Sequence, residues 1–154
     1  CKYYNDDVKT KLGNKSTSSH WVLMTKDVIP GSCNKSYEGQ KELIATHAKK
    51  SGWCYELPMA LDAAVCILME HVQTGTRLYS DNPLTFTRCQ EKANLNLWPV
   101  VIGGFATGGL RVEDNRWDGY VYNGVGACQK FWTMVFGTWT EEWVMVFGDK
   151  TGRL

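Results

Sequence analysis

The chain has 154 residues and a formal net charge of +1, from 17 basic and 16 acidic side chains, with 44% hydrophobic residues. That length and apolar content support one domain with its own core. The balance of charge excludes the basic footprint expected of a nucleic-acid binder or of a protein drawn to an anionic membrane.

No apolar run approaches the roughly 20 residues that span a bilayer. The nearest, 97–106, is interrupted by Pro99, Gly103 and Gly104, so no membrane partner is expected. Cys1, Cys33, Cys54, Cys66, Cys89 and Cys128 are even in number and never form a C-x-x-C pair. That pattern argues against a zinc or thioredoxin-type site and for three structural disulfides in a secreted protein, with the pairing left open. A chain opening at Cys1 reads as a mature form whose signal peptide has been removed. The sequons Asn14-Lys15-Ser16 and Asn34-Lys35-Ser36 permit glycosylation at Asn14 and Asn34 in a eukaryotic source.

In chain order, residues 1–19 are polar and read as a loop pinned by Cys1. His20 to Met24 is short, apolar and partly β-branched, which predicts a buried strand ended by Pro30-Gly31. Ser36 is placed to cap a helix reaching Lys50, with Leu43, Ile44, His47 and Ala48 on one face and Gly52 as its stop. The strongest periodicity runs from Pro58 to Gly75. Leu61, Ala64, Val65, Leu68, Met69 and Val72 recur at i, i+3, i+4, i+7, i+8 and i+11, an apolar helical face expected to pack on the core, with Pro58 in the first turn and Asp62 near the positive helix end. Cys66 sits about 140° around the wheel from Leu61, on the flank.

Asp81-Asn82-Pro83 signals a turn, Leu84 to Thr87 a short edge strand, and Cys89 a clamp on it. After Leu97, β-branched and aromatic segments divided by Gly and Asp predict successive antiparallel strands. The segments 128–136 and 142–147 alternate as strands do, and Gly137-Thr138-Trp139-Thr140 predicts a hairpin connection between them. The expected fold is α+β, a disulfide-stapled antiparallel sheet of about four strands from the C-terminal half, packed against helices.

Candidate chemistry is sparse. The cluster Gly103-Gly104-Phe105-Ala106-Thr107-Gly108-Gly109 lacks the Lys-Ser/Thr of a phosphate loop and suits a connection between strands. Asp114 to Gly119 has a faint calcium-loop look, but Arg116 and Val125 occupy two ligand positions, so no metal or other cofactor is expected. Glu113 with Asp118, or Glu141 with Glu142, are weak candidates for an acid/base pair, since adjacent acids are mostly solvated charges. The histidines His20, His47 and His71 read as isolated, and no G-x-S-x-G elbow exists.

A six-cysteine chain of this size, with the 58–75 helix first and strands after Leu97, resembles the small secreted effectors of plant-pathogenic fungi, in particular the disulfide-rich avirulence effectors of the Leptosphaeria type. The resemblance covers the whole chain as architecture, through the Cys1, Cys33, Cys54, Cys66, Cys89 and Cys128 framework, and carries no diagnostic motif. It implies a non-enzymatic, monomeric virulence protein in the host apoplast or translocated into host cells, which binds a host protein and is detected, or masks detection, by plant resistance proteins. A secreted ribonuclease is a weaker alternative because no histidine follows His71 to act as general acid. A carbohydrate-binding module is a third, with exposed tryptophans stacking on sugars. For a protein partner, exposed loops are the expected contact surface, with Arg111, Arg116 and Trp117 in the 111–118 segment, read as a loop from its turn-forming Asp114, Asn115 and Gly119, and Trp139 at the hairpin tip, since Arg and Trp are enriched in interface hot spots.

Overall fold

The computed structural model describes residues 20–93, 98–115, 123–126, 128–131 and 143–148, with side chains for 20–93, 98–115 and 124–126. Within them the fold is α+β, with two helices and two sheets. Strand β1 (His20–Thr25) is the middle strand of a three-stranded antiparallel sheet, between β6 (Cys128–Phe131) and β7 (Trp143–Gly148). Trp21 pairs with Phe131 on one side and Phe147 on the other. The two C-terminal strands therefore do not form the expected hairpin pair, because β1 lies between them. The reason is in β1 itself: Val22, Leu23 and Met24 are consecutive and all buried, so both faces are covered and the strand belongs in a sheet interior. The Gly137 to Thr140 connection lies outside the described residues.

The second sheet runs β4-β3-β2-β5, built from β2 (Phe86–Ala93), β3 (Trp98–Ala106), β4 (Gly109–Asp114) and the two-residue β5 (Asn123–Gly124). Strand β5 pairs parallel to β2, so the single antiparallel sheet expected of the C-terminal half is replaced by two sheets, one of them mixed. The strand expected at Leu84 to Thr87 begins at Phe86 and is internal, not an edge. The glycine cluster is structural. Thr107-Gly108 turns β3 into β4, and a Cβ on Gly103, at φ 155°, would collide with the Thr85 carbonyl oxygen.

Helix α1 (Tyr37–Ser51) begins and ends where the sequence places it. The Ser36 Oγ accepts the Gly39 N–H at 3.1 Å, and Gly52, at φ 73°, donates its N–H to the Ala48 carbonyl. It buries Gln40 and Ile44, while His47 is exposed instead of sharing the apolar face. Ile44 joins Ile29, Leu57 and Val125 in a small second core.

Helix α2 (Ala60–Thr74) spans the main core, packing on β1 and β7 of one sheet and on β2 and β3 of the other. Pro58 lies before the Met59 cap, outside the first turn. The capping is done at a distance by Glu91, whose Oε2 accepts the Ala60 N–H at 2.8 Å. The helix is turned over relative to expectation. Its interior residues are Ala60, Asp62, Ala63, Cys66, Ile67 and Glu70, whereas Leu61, Leu68 and Val72 are 50%, 43% and 77% exposed. At about 100° per residue, Ala63, Cys66, Ile67 and Glu70 fall within roughly 60° of the point opposite Leu61.

The inversion has a physical cause. Asp62 and Glu70 lie on the inner side of α2, and each meets a nitrogen donor delivered by β1 or the residue after it. His20 Nε2–H donates to Asp62 Oδ1 at 3.1 Å, and Lys26 Nζ sits 3.0 Å from Glu70 Oε1. Between them the small Ala63 and Cys66 and the fully buried Ile67 join Val22, Met24, Val100 and Ile102 in the main core. Had the leucine face turned inward, both carboxylates would point to water and His20 would be buried without Asp62.

Replacing His20 with Ala, which takes the imidazole from a buried carboxylate, should lower the unfolding free energy by about 1 to 3 kcal/mol. Replacing Leu61 or Leu68 with Ser should cost less than about 1 kcal/mol. Urea midpoints read both. A larger loss at Leu68 than at His20 would place the leucine face inside.

Candidate functional site

The sequence candidates separate once placed. Arg111 is in strand β4 and not in a loop, opposite Gly103, with its Nε 3.4 Å from Glu113 Oε1 and both side chains partly exposed. It occupies the edge strand of its sheet as that sheet is described. Arg116, Trp117 and Trp139 lie outside the described residues, as do Asp118, Glu141 and Glu142. His20 is not isolated but paired with Asp62, while His71 donates its Nδ1–H to the Gly75 carbonyl at the end of α2.

The three-disulfide framework is not formed. Cys33, Cys54 and Cys66 carry free thiols, which leaves too few cysteines for three bridges. Cys66, expected on a flank where it would tether another segment, is on the inner face of α2 and packs as a small apolar residue in the main core, where Cys89 is also buried. Cys54 is exposed just beyond α1, beside the exposed Trp53. Cys1 lies outside the described residues, and Cys128 is in β6. Asn34 is exposed in the turn before α1, at φ 57°, a left-handed conformation that asparagine tolerates; Asn14 lies outside the described residues.

A group of buried polar side chains holds loops in place. Arg88, fully buried on β2, donates from Nη1 to the Lys35 carbonyl at 2.9 Å and to Gln40 Oε1 at 3.1 Å. Gln40 passes the connection on through Nε2 to the Ser32 carbonyl, and the Ser32 Oγ accepts the Val125 N–H. Thr87 Oγ1 accepts the Gly126 N–H at 3.0 Å. This network ties the start of α1, the centre of β2 and the 125–126 segment together. Tyr79, itself at φ 47°, directs its hydroxyl at the Thr25 and Asp27 carbonyls, and a Cβ on Gly126 would collide with that hydroxyl.

Burial pushes the Cys66 thiol well above its ordinary range, with the Asp62 carboxylate adding to the shift, and burial does the same to the Tyr79 phenol. A thiol held protonated in a closed core is no nucleophile, although Cys66, His20 and Asp62 have the residue types of a catalytic triad. Among the described residues no group of three or more His, Cys, Asp or Glu is gathered to hold a metal ion. Among the described residues, the outward face of α2 exposes Leu61, Leu68 and Val72 in line with the partly buried Ala64, Val65 and Met69.

Sequence reasoning missed His20, Lys26, Asp62, Glu70 and Arg88. The signal for two of them was present: Asp62 and Glu70 are the only acids in an otherwise largely apolar helix and stand two turns apart, a spacing that keeps them on one side.

Native thiol labelling should modify Cys54 at once, Cys33 more slowly, and Cys66 only on unfolding. Stability should also fall in alkali. The folded chain holds the Cys66 and Tyr79 protons more tightly than the unfolded chain, which releases them near 9.0 and 10.0. The contribution is complete below about pH 9 and is lost as pH rises, by up to about 1.4 kcal/mol per pH unit for each group. Tyr79→Phe should flatten the part of the loss above about pH 10, and an unchanged slope in that variant would contradict the assignment.

Comparison with protein-family models, with curated proteins and with solved structures finds no match to this chain.

Proposed function

We propose that this chain is a non-enzymatic effector that works by contact with protein surfaces. The observation that carries the reading is the inversion of α2. The helix turns both its acids inward, onto His20 and Lys26, and leaves Leu61, Leu68 and Val72 in water. An aligned aliphatic face on an ordered helix is the usual mark of an association surface, and the buried polar clusters are already engaged in holding the fold.

The architecture-level resemblance to Leptosphaeria-type avirulence effectors supplies the biological class: a secreted virulence protein, in the host apoplast or translocated into host cells, that binds a host plant protein and is recognised by, or masks recognition by, resistance proteins. Host recognition falls to Arg111 on the β4 edge and to the chain that follows it, Arg116 and Trp117, with Trp139 as a further contact. Arg111 is well suited, because a partly exposed guanidinium held by Glu113 is pre-oriented for a carboxylate on the partner.

A pull-down from host plant extract with wild type, Arg111→Ala, Trp117→Ala and Trp139→Ala tests this. The variants should keep the wild-type melting temperature and recover less of the partner, by roughly 2 kcal/mol or more in affinity at a true hot spot. Equal recovery by all of them would remove this surface from the account.

A further inference from the structure

We infer that the outward face of α2 is covered by α2 of a second copy of this chain, the two helices running antiparallel about a two-fold axis. The inference rests on the reading of that face as an association surface and names its occupant. Leu61, Val65, Leu68 and Val72 follow one another at steps of four, three and four residues, the d-a-d-a order of a coiled-coil seam. That order is its own complement when reversed. With the axis between Cys66 and Ile67, Leu61 comes opposite Val72 and Val65 opposite Leu68, so each longer side chain meets a shorter one.

Charge supports a second copy over a foreign partner. The acids of α2 are turned into the core, and the seam is flanked by Ala64, Met69, His71 and Gln73. Two copies thus meet without like-charge repulsion. The face also carries no flanking acidic or basic pattern of the kind that selects a different helix. The antiparallel arrangement sets the two helix dipoles head to tail.

Area fixes the strength. Three half- to three-quarter-exposed aliphatics with their partly buried neighbours amount to a patch of the order of a few hundred Å² per copy. Two such patches reach only the low end of specific interfaces, below about 1,200 Å² in total, so the dimer is reversible and concentration-dependent. The monomer expected from sequence is its dilute form.

Sedimentation of the full chain from low-micromolar to near-millimolar concentration tests the inference. The weight-average mass should rise from the 17.4 kDa monomer toward twice that value. Leu68→Arg and, independently, Val72→Glu should weaken the dissociation constant at least tenfold with circular dichroism and melting unchanged, while Ala45→Arg on the exposed side of α1 should leave it as in wild type. A wild type that stays monomeric throughout, or seam variants that dimerise equally well, would overturn the inference. Those two failures are separable from failure of the broader reading. A monomeric wild type that loses a host partner through Leu68→Arg keeps the association surface but gives it another occupant, and a Leu68→Arg protein indistinguishable in both assays removes the surface as well.

Discussion

Two polar pairs, the buried hydrogen bond of Asp62 with His20 and the half-buried ion pair of Glu70 with Lys26, decide how the central helix lies on its sheets. A carboxylate taken out of water is tolerated only where a hydrogen-bonded cation or donor meets it. Two such carboxylates on one helix, two turns apart, must therefore both find partners in the same orientation. Strand β1 and the residue after it meet that demand: His20 at its start and Lys26 just past its end are spaced to receive the two ends of the acid face. Rotating the helix by half a turn would bury more leucine, yet it would take Asp62 and Glu70 away from His20 and Lys26. Area burial at roughly 25 cal/mol per Å² is non-directional, whereas the pairs are directional, and here the directional term sets the rotation.

The rest of the architecture follows from where β1 has to be. As the strand that carries His20, leads directly into Lys26 and is apolar on both faces, it sits inside its sheet, with β6 and β7 recruited from the far end of the chain. The N-terminal and C-terminal parts thereby close around α2, and the second sheet packs on the same helix through β2 and β3. Arg88 performs the corresponding task for the smaller core. Its guanidinium, always charged, is buried against the Lys35 carbonyl and Gln40 and so fixes how α1 leaves its loop. A fold pinned by such contacts does not depend on the three disulfides suggested by its cysteine count, and Cys66 serves as packing.

What was legible in the sequence was local. Ser36 and Gly52 bound α1, Gly75 ends α2, and Thr107-Gly108 lies where the glycine cluster calls for a turn, because caps and turns are decided by a few adjacent residues. What was hidden was long-range. The periodicity of Leu61, Leu68 and Val72 is a true helical stripe, but periodicity reports that a face is apolar, not which way it points. Only the pairing of Asp62 with a histidine 42 residues earlier settles the direction. The hairpin expected between 128–136 and 142–147 failed for a related reason: alternation marks strands, and nothing in those two segments shows that β1 comes between them. Of the proposed contact residues, Arg111 was read as part of a loop because Asp114, Asn115 and Gly119 signal turns, yet β4 runs on to Asp114 before the turn residues begin.

The functional account depends on the same rotation, since an effector acting through contact is inferred from aliphatics left outside. Cysteines placed one at a time along α2 at Leu61, Ala63, Ile67, Leu68, Glu70 and Val72, in a Cys33→Ala, Cys54→Ala background at dilute protein, read that rotation directly through native labelling rates mapped to the introduced site. The account predicts fast labelling at 61, 68 and 72 and strong protection at 63, 67 and 70. Protection at 61, 68 and 72 with fast labelling at 63, 67 and 70 would contradict it.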